Sequence, residues 1–273
     1  MPLAPVGTHR VHYELHGDAP GPPLVLVMGL GGSSRGWLAL QVPELAPVHR
    51  TVVYDHRGVG ESEDPGGAFS VADLADDAAR LLDALGIERA HVLGAFMGGM
   101  VAQELALRHT DRVERLVLVG TCARPDAKRR MLLEKWKAMV EAGLPLAVLA
   151  QERVLWTLSD ATLEQSDLVH PMLQGYLRAG LPMSEDIFLR QCDACLGHDT
   201  EKRLGGIQQP TLVLCGQEDV LTPPRLHREL ASGIPGAHLV TIPGAAHLVM
   251  AEAAPRFNRI VLQFLDDGVA AAR

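Results

Sequence analysis

No run of apolar residues in this 273-residue chain reaches the length of about 20 needed to span a bilayer. The start, Met-Pro-Leu-Ala-Pro-Val-Gly, lacks the charged region and apolar stretch of a secretory signal. The expected compartment is therefore the cytoplasm. The four cysteines, Cys122, Cys192, Cys195 and Cys215, do not form the framework of a small disulfide-stapled domain. Cys192-x-x-Cys195 with His198 lacks a second ligand pair at metal-site spacing, so these are read as buried helix cysteines and no metal is expected. No basic cluster offsets the net charge of −8, which speaks against nucleic acid or an anionic membrane as partner. The short run Lys128-Arg129-Arg130 reads as a solvated helix face. Neither a Walker nor a dinucleotide fingerprint is completed, although Gly29-Leu30-Gly31-Gly32 resembles part of one.

What is present is an alternation of strands and helices. Residues 10–16 alternate apolar and polar like an edge strand, and Pro23–Met28 is a continuous apolar run, the mark of a strand covered on both faces. Thr51–Tyr54, His91–Gly94 and Leu116–Val119 read the same way. Between them lie a helical stretch at Trp37–Leu45, a helix opened by the capping-box pattern Ser70-x-x-Asp73, and a helix at Gly98–His109. The rhythm predicts an α/β fold with a doubly wound, mostly parallel sheet. It breaks after Gly120. Residues 123–205 are helical in character and are expected to form an inserted cap, the core being 1–122 and 206–273. The alternation resumes with a strand at Thr211–Cys215, a helix at Pro223–Ser232, a strand at His238–Ile242 and a closing helix at Ala254–Leu265.

The chemistry-bearing positions fall where such sheets collect them, at the C-terminal ends of strands. Ala90–Met100 carries an apolar strand into Gly94-Ala95-Phe96-Met97-Gly98-Gly99, a strand–elbow–helix with glycines two residues either side of position 96. Asp219 follows the Thr211–Cys215 strand and is favoured over the adjacent Glu218 by its distance to Pro223 and the helix start. His247 follows the last strand. The order of position 96, Asp219 and His247 is nucleophile, acid, base in chain order for this kind of scaffold. The backbone N–H groups of Leu30 and Met97 are candidates for an oxyanion hole. Trp136, Trp156 and Tyr176 in the cap are candidate pocket walls for an apolar or aromatic ligand.

On these residues the chain resembles the α/β-hydrolase superfamily over essentially its full length. Within it, the chain is similar to small bacterial esterases and 3-oxoadipate enol-lactonases. The shared features are Gly29-Leu30-Gly31-Gly32, Asp55-x-Arg57-Gly58-x-Gly60-x-Ser62, Met97-Gly98-Gly99-Met100, Arg115-Leu116-Val117-Leu118, Asp219-x-x-Thr222-Pro223 and Ala246-His247-Leu248. The resemblance implies an acid at Asp219, a base at His247 and oxyanion donors at Leu30 and Met97. Two positions depart from it: Met28, where the loop often carries histidine, and Phe96, where the nucleophilic serine belongs.

Phenylalanine has no nucleophilic atom, so no covalent intermediate forms there. Ser33, Ser34 and Cys215 sit away from the elbow and do not replace it. Three readings follow: hydrolysis of a small apolar ester or lactone by water activated at His247; a cyclase, lyase or decarboxylase reaction on the same His–Asp pair; or a ligand-binding protein or deliberately inactivated esterase without catalysis. None of them requires a cofactor or metal. The expected partner is a small apolar or aromatic ester- or lactone-like molecule, and the oligomeric state is left open.

Overall fold

A computed structural model describes residues 2–267; the alanine-rich segment Val269–Arg273 lies outside the described residues. Two strands open the chain, β1 (Leu3–Pro5) and β2 (Arg10–His16), and β3 (Leu24–Val27) follows. The stretch expected as one helix at Trp37–Leu45 is two single-turn helices, α1 (Arg35–Leu38) and α2 (Val42–Leu45). Then come β4 (Thr51–Tyr54), α3 (Val71–Ala84), β5 (Ala90–Ala95), α4 (Met97–Arg108) and β6 (Val113–Val119). Five helices occupy the next segment: α5 (Ala127–Glu141), α6 (Leu146–Thr157), α7 (Asp160–Leu163), α8 (Ser166–Ala179) and α9 (Glu185–Gly197). The chain closes with β7 (Thr211–Gly216), α10 (Pro224–Gly233), β8 (His238–Ile242), α11 (Val249–Glu252) and α12 (Ala254–Asp267).

The eight strands form one sheet in the order β1-β2-β4-β3-β5-β6-β7-β8. β1–β2 and β2–β4 pair antiparallel, and every other neighbouring pair is parallel. The β2 strand, expected at the edge, is covered by β1. That three-residue strand includes Pro5 and is too short to show a period.

Every residue of β3, β4, β5 and β7 is buried, as their apolar runs require for strands covered on both faces. Successive residues serve opposite faces. Val25 and Val27 join a core with α3 and α4, including Leu74, Leu81 and Val101. Leu24 and Leu26 join a core with α12, including Phe257, Val261 and Phe264. The capping box at α3 forms as read: Ser70 Oγ accepts from the Asp73 amide at 3.2 Å, and the Asp73 carboxylate accepts from the Ser70 amide at 2.8 Å.

β3 lies between β4 and β5, so the chain leaves it to one side and returns on the other. The crevice at the C-terminal ends of β3 and β5 is the switch point at which such sheets bind ligands. The loop Gly29–Gly32 and the turn at Phe96 both open onto it. No helix among the described residues is long and apolar enough to cross a membrane.

Candidate active site

Phe96 is the single residue between β5 and α4, and it is the only non-glycine with positive φ among the described residues (φ 61°, ψ −120°). A backbone held there costs on the order of 1–3 kcal/mol, and surrounding bonds must hold it. Its N–H donates to Val119 O at 2.8 Å, and its carbonyl accepts from Thr121 Oγ1 at 2.8 Å and from the Gly99 amide at 3.0 Å. The flanking glycines are required by close backbone approach. A Cβ on Gly94 would stand 2.2 Å from Gly98 O, and one on Gly98 would stand 2.1 Å from Val27 O.

The phenyl ring lies between two more glycines. A Cβ on Gly29 would meet Phe96 Cβ at 2.6 Å, and one on Gly120 would meet Cδ1 at 2.8 Å. One face of the ring stacks on the imidazole of His247, with centroids 4.3 Å apart and planes 27° apart.

His247, in the loop after β8, is tied to Asp219, in the loop after β7. Asp219 Oδ2 accepts from His247 Nδ1–H at 2.8 Å. The remaining capacity of the carboxylate is filled as well. Oδ1 accepts from the amides of Leu221 and Thr222 at 2.8 and 2.7 Å, and Oδ2 accepts from Thr222 Oγ1 at 2.7 Å. Both side chains are buried. Burial works to raise the Asp219 pKa, but the charge and hydrogen bond of His247 and the bonds from Thr222 outweigh it and hold the group below the usual carboxylate range. Glu218 is exposed and takes no part.

A second histidine here was not singled out by sequence. His227, on α10, is fully buried. Its Nε2 accepts from the Thr121 amide at 3.1 Å, and its Nδ1–H points to Pro223 O at 3.4 Å. Desolvation pushes its pKa down to about 4, which leaves it neutral. It braces the Thr121 turn, which also holds Phe96, against the start of the helix after the acid loop.

The Gly29–Gly32 loop is gripped from the helical segment. The Gly31 amide donates to Gln191 Oε1 of α9 at 3.0 Å, and Arg153 Nη2 of α6 donates to Leu30 O at 2.8 Å. From beneath, Asp55 Oδ1 accepts the Ser34 amide at 2.7 Å, and Ser62 Oγ donates to Asp55 O at 2.8 Å. The Asp55-to-Ser62 motif is thus a buttress for this loop. Met97 begins α4, where helix geometry leaves its amide without an intrahelical acceptor.

Leu30, Met97, Phe96 and His247 border one cavity of about 340 Å³ with mostly apolar walls, to which α5 and α6 contribute Leu132, Leu133, Trp136 and Val154 and α8 contributes Met172. Trp136 is among its lining residues. Trp156 is not: its indole N–H donates to Glu152 Oε1 at 3.0 Å and Lys128 sits over its ring, so its position on α6 turns it from the cavity. The side chain of Tyr176 lies outside the described residues. Two arginines, Arg129 and Arg153, also line the cavity. Arg129 corrects the reading of Lys128–Arg130 as a solvated face: Lys128 and Arg130 are exposed, but Arg129 is turned inward. The four cysteines are free and buried, and no three His, Cys, Asp or Glu side chains among the described residues are grouped to hold a metal.

Residues 22–254, most of the chain, match the family described as alpha/beta hydrolase fold. The chain belongs to the α/β-hydrolase superfamily. Superfamily relatives cover nearly all of it. The "Putative carbamate hydrolase RutD" of Azorhizobium caulinodans is 34% identical over 264 residues, covering 97% of this chain and 98% of its own length. Among solved structures, an enol-lactonase from Burkholderia xenovorans superposes with a TM-score of 0.89 at 30% identity, covering 97% of this chain and 100% of that one. A hydrolase from Pseudomonas aeruginosa gives 0.85 at 34% identity, with 94% of each chain covered. The strand order and the elbow of this α/β-hydrolase chain are thus accounted for, and the three relatives described are named as hydrolases or as an enol-lactonase.

Proposed function

We propose that this α/β-hydrolase chain acts on a small, largely apolar ester or lactone, without a covalent intermediate, through His247 and Asp219. The observation that carries the reading is the 2.8 Å Asp219–His247 bond bordering an apolar cavity, with the Phe96 ring stacked on the imidazole. With Nδ1–H committed to Asp219, Nε2 is the unprotonated nitrogen and acts as a general base on water. The amides of Leu30 and Met97 stabilise the oxyanion that forms as water adds to the carbonyl. Collapse of the tetrahedral intermediate then expels the alkoxide, which takes the proton from His247. The helices of residues 123–205 serve as a cap that shields this step. Phe96 covers one face of the imidazole and crowds the water, so turnover is slow.

The room left for the ring by Gly29 and Gly120 favours a second reading, in which the site has settled around Phe96 and the His–Asp pair moves protons in a non-hydrolytic reaction or only helps bind the ligand.

The test is turnover of short-chain p-nitrophenyl esters by the protein beside Phe96→Ser and His247→Ala. The expected result is slow turnover without a burst in the protein, a stoichiometric acyl-enzyme burst in Phe96→Ser, and a loss of roughly 10²–10⁴-fold in His247→Ala. Turnover unchanged by His247→Ala refutes the proposal. An inert Phe96→Ser variant shifts the assignment to the second reading.

A further inference from the structure

Among the described residues, no carboxylate is paired with the guanidinium of Arg129 in this cavity. Its described lining residues include two arginines and no aspartate or glutamate. Arg129 is 8% exposed, and Asp126, three residues before it at the start of α5, and Asp219, bonded to the amide of its partner Leu221, are both engaged. Asp126 caps α5 by accepting the Arg129 backbone amide at 2.8 Å, and its other oxygen is taken by Arg225. Asp219 is filled by its four hydrogen bonds. The Arg129 guanidinium donates from Nη1 to Leu221 O at 3.0 Å, while its buried Nε has no hydrogen-bond partner. The thiol of Cys195, which also lines the cavity, is pushed by burial up to about 12, and the buried Cys122 thiol is raised for the same reason, so neither supplies a thiolate to neutralise the cation. A buried cation without a counter-charge is costly, and guanidinium is suited to planar anions, which it binds through two parallel N–H bonds.

We infer that Arg129 is an anion-binding subsite of this cavity, and that the ligand is an apolar body bearing one carboxylate. Leu221 fixes where that carboxylate lies. Its carbonyl holds Arg129 and its amide holds Asp219, so the anion binds beside the acid loop, at the same end of the cavity as the His–Asp pair. Arg153 adds positive potential from α6 while it grips Leu30 O. The rest of the ligand faces Leu132, Trp136 and Val154. The inference deepens the proposed function by naming its substrate class, and rests on that reading only for the reaction; the binding subsite stands without turnover.

The experiment therefore measures binding, by calorimetry, of phenylacetate, 3-phenylpropanoate and 4-phenylbutanoate against their neutral carboxamides. At least one carboxylate is expected to bind tenfold or more tightly than its amide. Arg129→Met should abolish that preference while amide binding persists, which shows that the cavity is intact. Arg129→Lys should retain part of it, and decides the matter if the methionine variant fails to fold. A carboxylate could instead bind as a product acid under the Leu30 and Met97 amides. His247→Gln separates the two, because the preference survives it if Arg129 is the subsite. Equal binding of acid and amide, no binding of either, or a preference that survives Arg129→Met and is lost with His247→Gln overturns the inference. Because no turnover is required, an inactive protein that keeps the preference refutes only the proposed reaction.

Discussion

At the scale of single residues the site is organised by what surrounds Phe96. Its backbone is held at φ 61° by bonds to Val119, Gly99 and Thr121, and its ring fits where Gly29 and Gly120 carry no Cβ. Gly120 is itself at φ +55°, so a side chain there is strained as well as crowded. Gly120→Ala should lower stability by about 1–3 kcal/mol, measured by urea unfolding. In a Phe96→Ser background the steric part should vanish and only the backbone part remain, giving a coupling energy between the two positions. Additive effects would mean that the ring does not press on Gly120. The candidate acid and base were legible in sequence because Asp219 follows a buried strand and His247 follows the last strand, and the chain order of the three positions is informative. His227 was not, because a histidine on an amphipathic helix among twelve carries no mark of what it faces. Nor was Arg129: in Lys128-Arg129-Arg130 the three side chains fan around the helix, and only packing selects the one that turns inward.

At the scale of elements, the loop that carries His247 is bound to the helical segment. The Leu248 amide donates to Thr157 O at 3.0 Å. Glu252 on α11 accepts from the Ser159 amide and hydroxyl at 2.8 Å each, and from the Ala246 amide at 2.7 Å. Glu252→Ala removes the acceptor of two backbone donors and should cost about 1–3 kcal/mol in denaturant unfolding, and on the proposed function ester turnover should fall alongside because the loop carrying His247 loosens. A fully retained stability would show that water replaces the carboxylate without loss. Strands were legible where apolar runs were long, as in β3, β5 and β7. The misses are short elements. β1 has three residues and no period, and the single-turn helices α1 and α2 are set by tertiary packing of Trp37 and Leu45 more than by local pattern. The parallel direction of the central strands followed from alternation alone. The antiparallel pairing of β1 and β2 did not, because hydrogen-bonding partners at an edge leave no trace in composition.

At the scale of the whole molecule, four histidines, His56, His91, His198 and His227, are buried and each is pushed by desolvation from 6.5 to about 4. The unfolded chain binds these protons between about pH 6.5 and 4 and the folded chain does not. Folding is therefore fully favoured above pH 6.5 and loses stability as pH falls through that window, on the order of 1–3 kcal/mol per histidine. Below about pH 4 these four groups add no further loss. Thermal unfolding followed from pH 8 to 4 should show a plateau above 6.5 and a steep decline beneath it. A melting temperature that holds level to pH 5 would mean that these rings are protonated in the fold.

The grip on the Leu30–Gly31 peptide bears on how such chains can be recombined. Gln191 takes its amide from one helix and Arg153 takes a carbonyl beside it from another, while Thr157 and Ser159 secure the opposite lip of the cavity at Leu248 and Glu252. The helical segment is thus not an interchangeable module. A chimera that grafts a relative's segment onto this sheet inherits the correct strand order and still leaves the Gly31 amide buried without an acceptor, unless the graft brings a glutamine equivalent to Gln191. Substrate preference in this scaffold can be exchanged only together with the posts that hold both lips of the cavity.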